Sequence, residues 1–183
     1  VCAENVRALV DGSPVPLVAD IHFDHRLAIR AVENGIAKVR VNPGNIGGER
    51  NVQRLADCLK QHRVPIRIGV NAGSLERDIL REFGGATAEG MVKSGLNHAR
   101  MLERAGFSDI VLSFKASTVK LTVDACRLAA RETGYPQHIG VTEAGTYESS
   151  IVKSAMGIGA LLVDGIGDTI RVSNTGDPVR EVE

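Results

Sequence analysis

The run 39-VRVNPGNIGG-48 has the apolar flanks of a strand, Val39 and Val41, around an arginine, and then breaks into a loop with Gly44, Gly47 and Gly48. Buried strands of parallel sheets are continuous apolar runs, and a guanidinium inside one is costly unless something pairs with it. The strand itself spans 37–42, and five more runs repeat its character: 15-VPLVADI-21, 64-VPIRIGV-70, 109-DIVLSFK-115, 136-PQHIGVT-142 and 168-DTIRVSN-174. Between most of them, apolar residues recur at helical spacing, as in Val52/Leu55/Ala56/Leu59. Gly35, Gly106, Gly134 and Gly165 close helices or their loops just before the next strand. Strand–helix alternation of this kind predicts a parallel sheet with helices outside it.

Parity then separates an open sheet from a barrel, because residues two apart on a strand share a face. One face reads Val18/Asp20/His22, Arg40/Asn42, Arg67/Gly69/Asn71, Ser113/Lys115/Ser117, His138/Gly140/Thr142 and Thr169/Arg171/Ser173. The other is apolar, as in Ile66/Ile68/Val70 and Ile110/Leu112/Phe114. An open doubly wound sheet covers both faces with helices and would leave six polar rows hard to satisfy. A TIM (β/α)8 barrel turns its apolar face to the helices and its polar face to the mouth at the strand C-termini. Eight strands take about 250 residues, and the chain has 183. The expectation is therefore a partial TIM barrel over 1–183, with six of eight strands present and the first two missing. The chain opens inside an apparent helix, 3-AENVRALVDG-12, and ends with Asp177-Pro178 as N-cap and N1 of another. It reads as a piece of something longer.

Composition narrows the function classes. Lys+Arg and Asp+Glu both number 22, so there is no electrostatic footprint for nucleic acid or an anionic membrane. With no Trp and 3% aromatic residues, base-stacking platforms are not expected. The longest apolar stretch, 154-SAMGIGALLV-163, is far short of the ~20 residues of a membrane span. Cys2, Cys58 and Cys126 are scattered and read as filler in helices, which argues against a self-contained iron–sulfur or zinc site and fits a reducing cytoplasm.

The polar face carries four cations, Arg40, Arg67, Lys115 and Arg171, each followed two residues on by Asn42, Gly69, Ser117 or Ser173. Four cations at one mouth repel each other, and Asp20 alone cannot balance them. A phosphate or diphosphate is the economical guest, with Arg as bidentate donor and Lys as point charge. The competing reading is that some pair with carboxylates and fill the barrel. The glycines of 42–48 suit backbone approach to an anion, although no Walker loop is present. In 71-NAGSLERD-78, Ser74 reads as a helix N-cap. Glu143 in 142-TEAG-145 is a general acid, a base or the counter-ion of an arginine. In 22-HFDH-25 no third metal ligand is near in sequence, and a hydrogen-bonding or proton-transferring His22 is preferred.

The series 16-PLVADIHFD-24, 40-RVNPGNIG-47, 66-IRIGVNAGSLE-76, 113-SFKAS-117, 139-IGVTEAG-145 and 165-GIGDTIRVS-173 resembles the 4-hydroxy-3-methylbut-2-enyl diphosphate synthase family of the non-mevalonate isoprenoid pathway. The resemblance runs along essentially the whole chain. It implies reductive opening and dehydroxylation of 2-C-methyl-D-erythritol 2,4-cyclodiphosphate, with electrons from flavodoxin or ferredoxin through a [4Fe-4S] cluster. The cluster is expected on a C-terminal domain absent from this chain, in a homodimer where it caps the other subunit's barrel. Carried over, Arg40, Arg67, Lys115 and Arg171 become diphosphate ligands, and Asn42, Asn71 and Ser173 supporting donors. Asp20 and His22 become polar contacts to substrate, and Glu143 the acid near the cluster. The family's further arginine and its cluster cysteines have no counterpart here. Asn174 stands where the family more often has an apolar residue.

Two other readings come from the residues alone. Lys115, beside cations that lower its pKa, could be a Schiff-base lysine of an aldolase, which borohydride trapping of a carbonyl adduct would reveal. The chain could also be a phosphate-ester binding module, holding the cyclodiphosphate without turnover.

Overall fold

In a computed structural model, described over residues 5–22, 24–43 and 47–181, strands and helices alternate as the apolar periodicity requires. The order is α1 (Val6–Gly12), β1 (Val18–Ile21), α2 (His25–Glu33), β2 (Lys38–Val41), α3 (Glu49–His62), β3 (Ile66–Asn71), α4 (Arg77–Phe83), α5 (Ala88–Arg104), β4 (Ile110–Lys115), α6 (Val119–Glu132), β5 (His138–Ile139), α7 (Tyr147–Val163) and β6 (Thr169–Ile170). All six expected strands form, in parallel, in sheets ordered β1-β2-β3-β4 and β5-β6. No described helix is long and apolar enough to cross a membrane.

The chain divides into two units, residues 1–69 with 96–111 and residues 70–95 with 112–183. In the first unit, β2 pairs with β1 and β3, with Asp20 opposite Arg40 and Arg40 opposite Arg67. The alternate residues Val39, Ile66 and Ile68 are fully buried, with Ala28 and Val32 of α2 and Leu55, Ala56 and Leu59 of α3. Burying each large apolar side chain contributes about 1.5–3 kcal/mol. A one-residue slip would exchange this face for the polar one, so the apolar set locks the register that brings Asp20, Arg40 and Arg67 into one row. Asp24 begins α2 by accepting the Arg26 N–H at 2.9 Å. Its half-buried carboxyl is held at about 2, chiefly by hydrogen bonds from the Arg26 side chain and backbone.

In the second unit, Met91, Leu112, Phe114, Ile139 and Leu161 are the large buried side chains, and α6 packs on α7. Gln137 ties the elements together. Its N–H donates to Asp168 Oδ2 at 2.7 Å and its Nε2 to the Cys126 carbonyl at 3.1 Å. Arg127 of α6 bonds Asp164, which caps α7, at 2.6 Å.

Several local expectations change. Strands β5 and β6 hold two residues each, where runs of seven were expected. Pro136 has no N–H to offer a ladder, and beyond Ile139 the Thr142 N–H turns to the Ala116 carbonyl. Ser74 does not cap α4. It lies in a 3-10 turn with its hydroxyl on the Asn71 carbonyl, and Glu76 precedes the helix. Asp177 does accept the Val179 N–H at 3.0 Å, but Pro178–Glu181 forms a 3-10 turn rather than an α-helix. Gly35, Gly106 and Gly165 take the left-handed backbone that ends a helix, whereas Gly134 does not. Cys58 and Cys126 do sit in helices α3 and α6; Cys2 lies outside the described residues.

Candidate functional site

The first unit carries its polar residues at the C-terminal ends of β1, β2 and β3. Arg40 is buried, with 9% of its side chain exposed. Its Nη1 donates to Asp20 Oδ1 at 2.7 Å and its Nη2 to the Gly69 carbonyl at 3.3 Å. A guanidinium can lie across β3 only because position 69 is bare: a Cβ there would overlap Arg40 Nε. Asp20 Oδ1 also lies 3.2 Å from His22 Nε2. Burial works to raise the Asp20 pKa, but the hydrogen bond and charge of Arg40, with help from His22, outweigh it and hold the carboxyl below its ordinary value. Arg40 is therefore the counter-ion of Asp20, the pairing that the competing reading allowed for. These two bonds use two of its five N–H groups. Asn42 is buried beyond it, and Arg67, half-buried, stands beside it in the sheet. Gly44 lies outside the described residues.

The second unit holds the other group. Lys115, at the end of β4, is buried, with its Nζ 3.2 Å from His138 Nε2. His138 Nδ1 is in turn 2.7 Å from Thr169 Oγ1 across the β5–β6 pair. Gly140 lies beneath: a Cβ there would meet the Arg171 carbonyl oxygen and come within 3.5 Å of Lys115 Nζ. The Arg171 N–H donates to the Ile139 carbonyl at 2.9 Å, which carries its exposed side chain past the same strand end. Asn71 and Ser173 are half-buried and Ser117 is exposed.

Glu143 is exposed with φ +50°, a left-handed backbone unusual for a side chain with a Cβ. Such conformations cost energy and cluster where a side chain must be aimed.

His138 and Thr169 were visible on the polar face but carried no assigned role. The signal was their place on consecutive strands of that face; their contact with Lys115 needed the strand pairing.

A parallel strand–helix chain with apolar residues to its helices and cations at its strand C-termini is a (β/α)-barrel domain. It matches the family model described as the GcpE TIM-barrel domain over residues 1–183, and the chain belongs to that family. It is 60% identical over 180 residues to the 4-hydroxy-3-methylbut-2-en-1-yl diphosphate synthase (flavodoxin) of Caldanaerobacter subterraneus subsp. tengcongensis, covering 98% of this chain and 51% of that protein. The protein of the same name from Geobacter sulfurreducens is 54% identical over 180 residues, with the same coverage of 98% and 51%. The chain thus spans about half the length of these curated relatives. Among solved structures, deoxyribose phosphate aldolase from Aeropyrum pernix shares the fold, with a TM-score of 0.58 at 15% identity over 98% of this chain and 72% of that one.

Proposed function

We propose that this chain is the substrate-holding barrel of a 4-hydroxy-3-methylbut-2-en-1-yl diphosphate synthase, and that it binds the diphosphate of 2-C-methyl-D-erythritol 2,4-cyclodiphosphate. The observation that carries this reading is the pairing of Arg40 with Arg67 on adjacent strands. Two guanidiniums side by side on adjacent strands present directional paired donors to the oxygens of one polyanion. Relatives at 60% and 54% identity are named as 4-hydroxy-3-methylbut-2-en-1-yl diphosphate synthases, which supports a diphosphate as the bound group.

In the first unit the proposed ligands are Arg40 and Arg67 with Asn42; in the second they are Lys115 and Arg171 with Asn71, Ser117 and Ser173. Arg supplies directional paired donors and Lys a compact charge. Asp20 and His22 contact the substrate's polar groups, and Glu143 handles a proton at the reacting carbon skeleton.

The reduction draws its electrons from a [4Fe-4S] cluster fed by flavodoxin or ferredoxin, and the described residues do not fit as cluster ligands. Cys126 is buried and its thiol is pushed up to about 12 by desolvation, while burial and Glu33 raise Cys58 on another helix. Among the described residues no group of three or more His, Cys, Asp or Glu could hold a metal. A homodimer in the cytoplasm, as the family resemblance implies, completes the proposal.

The aldolase reading is not favoured. The likeness to deoxyribose phosphate aldolase is one of fold at 15% identity, and the relatives at 60% and 54% are named for another reaction.

Calorimetric titration of the cyclodiphosphate into the chain tests the proposal. Arg67→Ala and Arg171→Ala should each weaken binding more than about tenfold, the contribution of one charge-assisted bidentate contact. Unchanged affinity in a folded variant would refute the placement of that side chain.

A further inference from the structure

We propose that His138 is a positioning residue for Lys115: a neutral imidazole, fixed as the Nδ1–H tautomer by Thr169, that accepts a hydrogen bond from the Lys115 ammonium. The inference rests on the anion-binding reading above and names how one of its ligands is aimed.

The chemistry of the three groups determines the arrangement. A charged lysine has three donors and no acceptor. With Lys115 Nζ 3.2 Å from His138 Nε2, that nitrogen must present its lone pair. The ring proton then lies on Nδ1, which donates to Thr169 Oγ1 at 2.7 Å. A doubly protonated ring would set two cationic N–H groups against each other at that distance. The reverse tautomer would need Lys115 as a neutral amine, which discards the charge an anion requires.

Burial makes the arrangement specific. Lys115 is 8% exposed and His138 6% exposed. A flexible lysine on a surface samples many rotamers, whereas an ammonium buried against a fixed acceptor is held. The bare backbone of Gly140 lies below Nζ, and the Arg171 carbonyl crowds the same position. His138 therefore orders Lys115 before an anion arrives, which lowers the ordering cost of binding. It does so by touching the lysine rather than the ligand.

Two measurements on the 183-residue chain decide the matter. Nitrogen-15 NMR of the histidine rings should show His138 protonated at Nδ1 only; protonation at Nε2, alone or with Nδ1, would overturn the tautomer. Titration with inorganic pyrophosphate supplies the second. His138→Leu should weaken binding about tenfold, and His138→Gln, whose amide oxygen can replace Nε2, should recover most of it. In a Lys115→Met background the His138→Leu change should have no further effect, as expected of residues that act through one contact. An equal loss in both backgrounds would show that His138 serves the fold and not the lysine. If Lys115→Met alone leaves pyrophosphate affinity unchanged, Lys115 is not an anion ligand. That outcome removes the site reading and the positioning role with it, while the NMR result still reports on the tautomer.

Discussion

Arg40 is a charge inside a strand whose neighbours are core. Its side chain is 9% exposed, that of its partner Asp20 50%. Removing one partner of a buried pair is strongly destabilising, and exposure of the other softens the loss. Asp20→Asn is therefore expected to cost about 1–2 kcal/mol in urea unfolding at neutral pH, below the 3–5 kcal/mol of a fully buried pair. The pH dependence has a definite sign. Although burial pushes the Asp20 pKa up, Arg40 and His22 bring it below the ordinary value. The carboxylate's contribution is then complete above the unfolded pKa of about 3.9 and lost as pH falls through the lower folded value. The difference between native chain and variant should shrink below about pH 4. A difference that stays constant into acid would show that Asp20 does not stabilise through its charge.

The strands differ in how firmly they are held. Val39 and Ile66 are fully buried, and their N–H groups bond the Pro65 and Asp109 carbonyls. On β6 both residues are exposed, and the Arg171 N–H that follows them bonds Ile139 at the edge of a two-residue ladder. Local opening follows buried apolar contact. Amide exchange should be slowest at Val39 and Ile66 and at least about tenfold faster at Arg171; equal protection would contradict this ranking. All six strands were legible, but their extents were not. β3 runs for six residues between two neighbouring strands, while β5 and β6 pair only with each other and for two residues, and that difference lies in the pairing rather than in the runs themselves.

Each unit also shows an uncovered apolar surface. In the first, Leu9, Val18 and Leu27 line a groove of about 410 Å³ beside β1, the terminal strand of its sheet. In the second, Ile151, Val152, Met156 and Val163 are exposed along α7. Apolar patches and unpaired strand edges promote association. The chain by itself is expected to self-associate with rising concentration in sedimentation velocity, and Val152→Glu with Met156→Lys should reduce it. A monodisperse monomer at high concentration would show that these faces are tolerated.

Sequence by itself determined the class of fold and the side of each strand on which chemistry sits. Both follow from a two-residue alternation within each strand, and that period is local. It also placed Arg40, Arg67, Lys115 and Arg171 on the polar face. Only the tertiary structure decided whom they meet. Arg40 found Asp20, and Lys115 found His138 and through it Thr169, because parallel strands joined by long crossovers take their register from core packing. Local sequence does not encode that register, so a row of cations could be read from the chain, but their pairings could not.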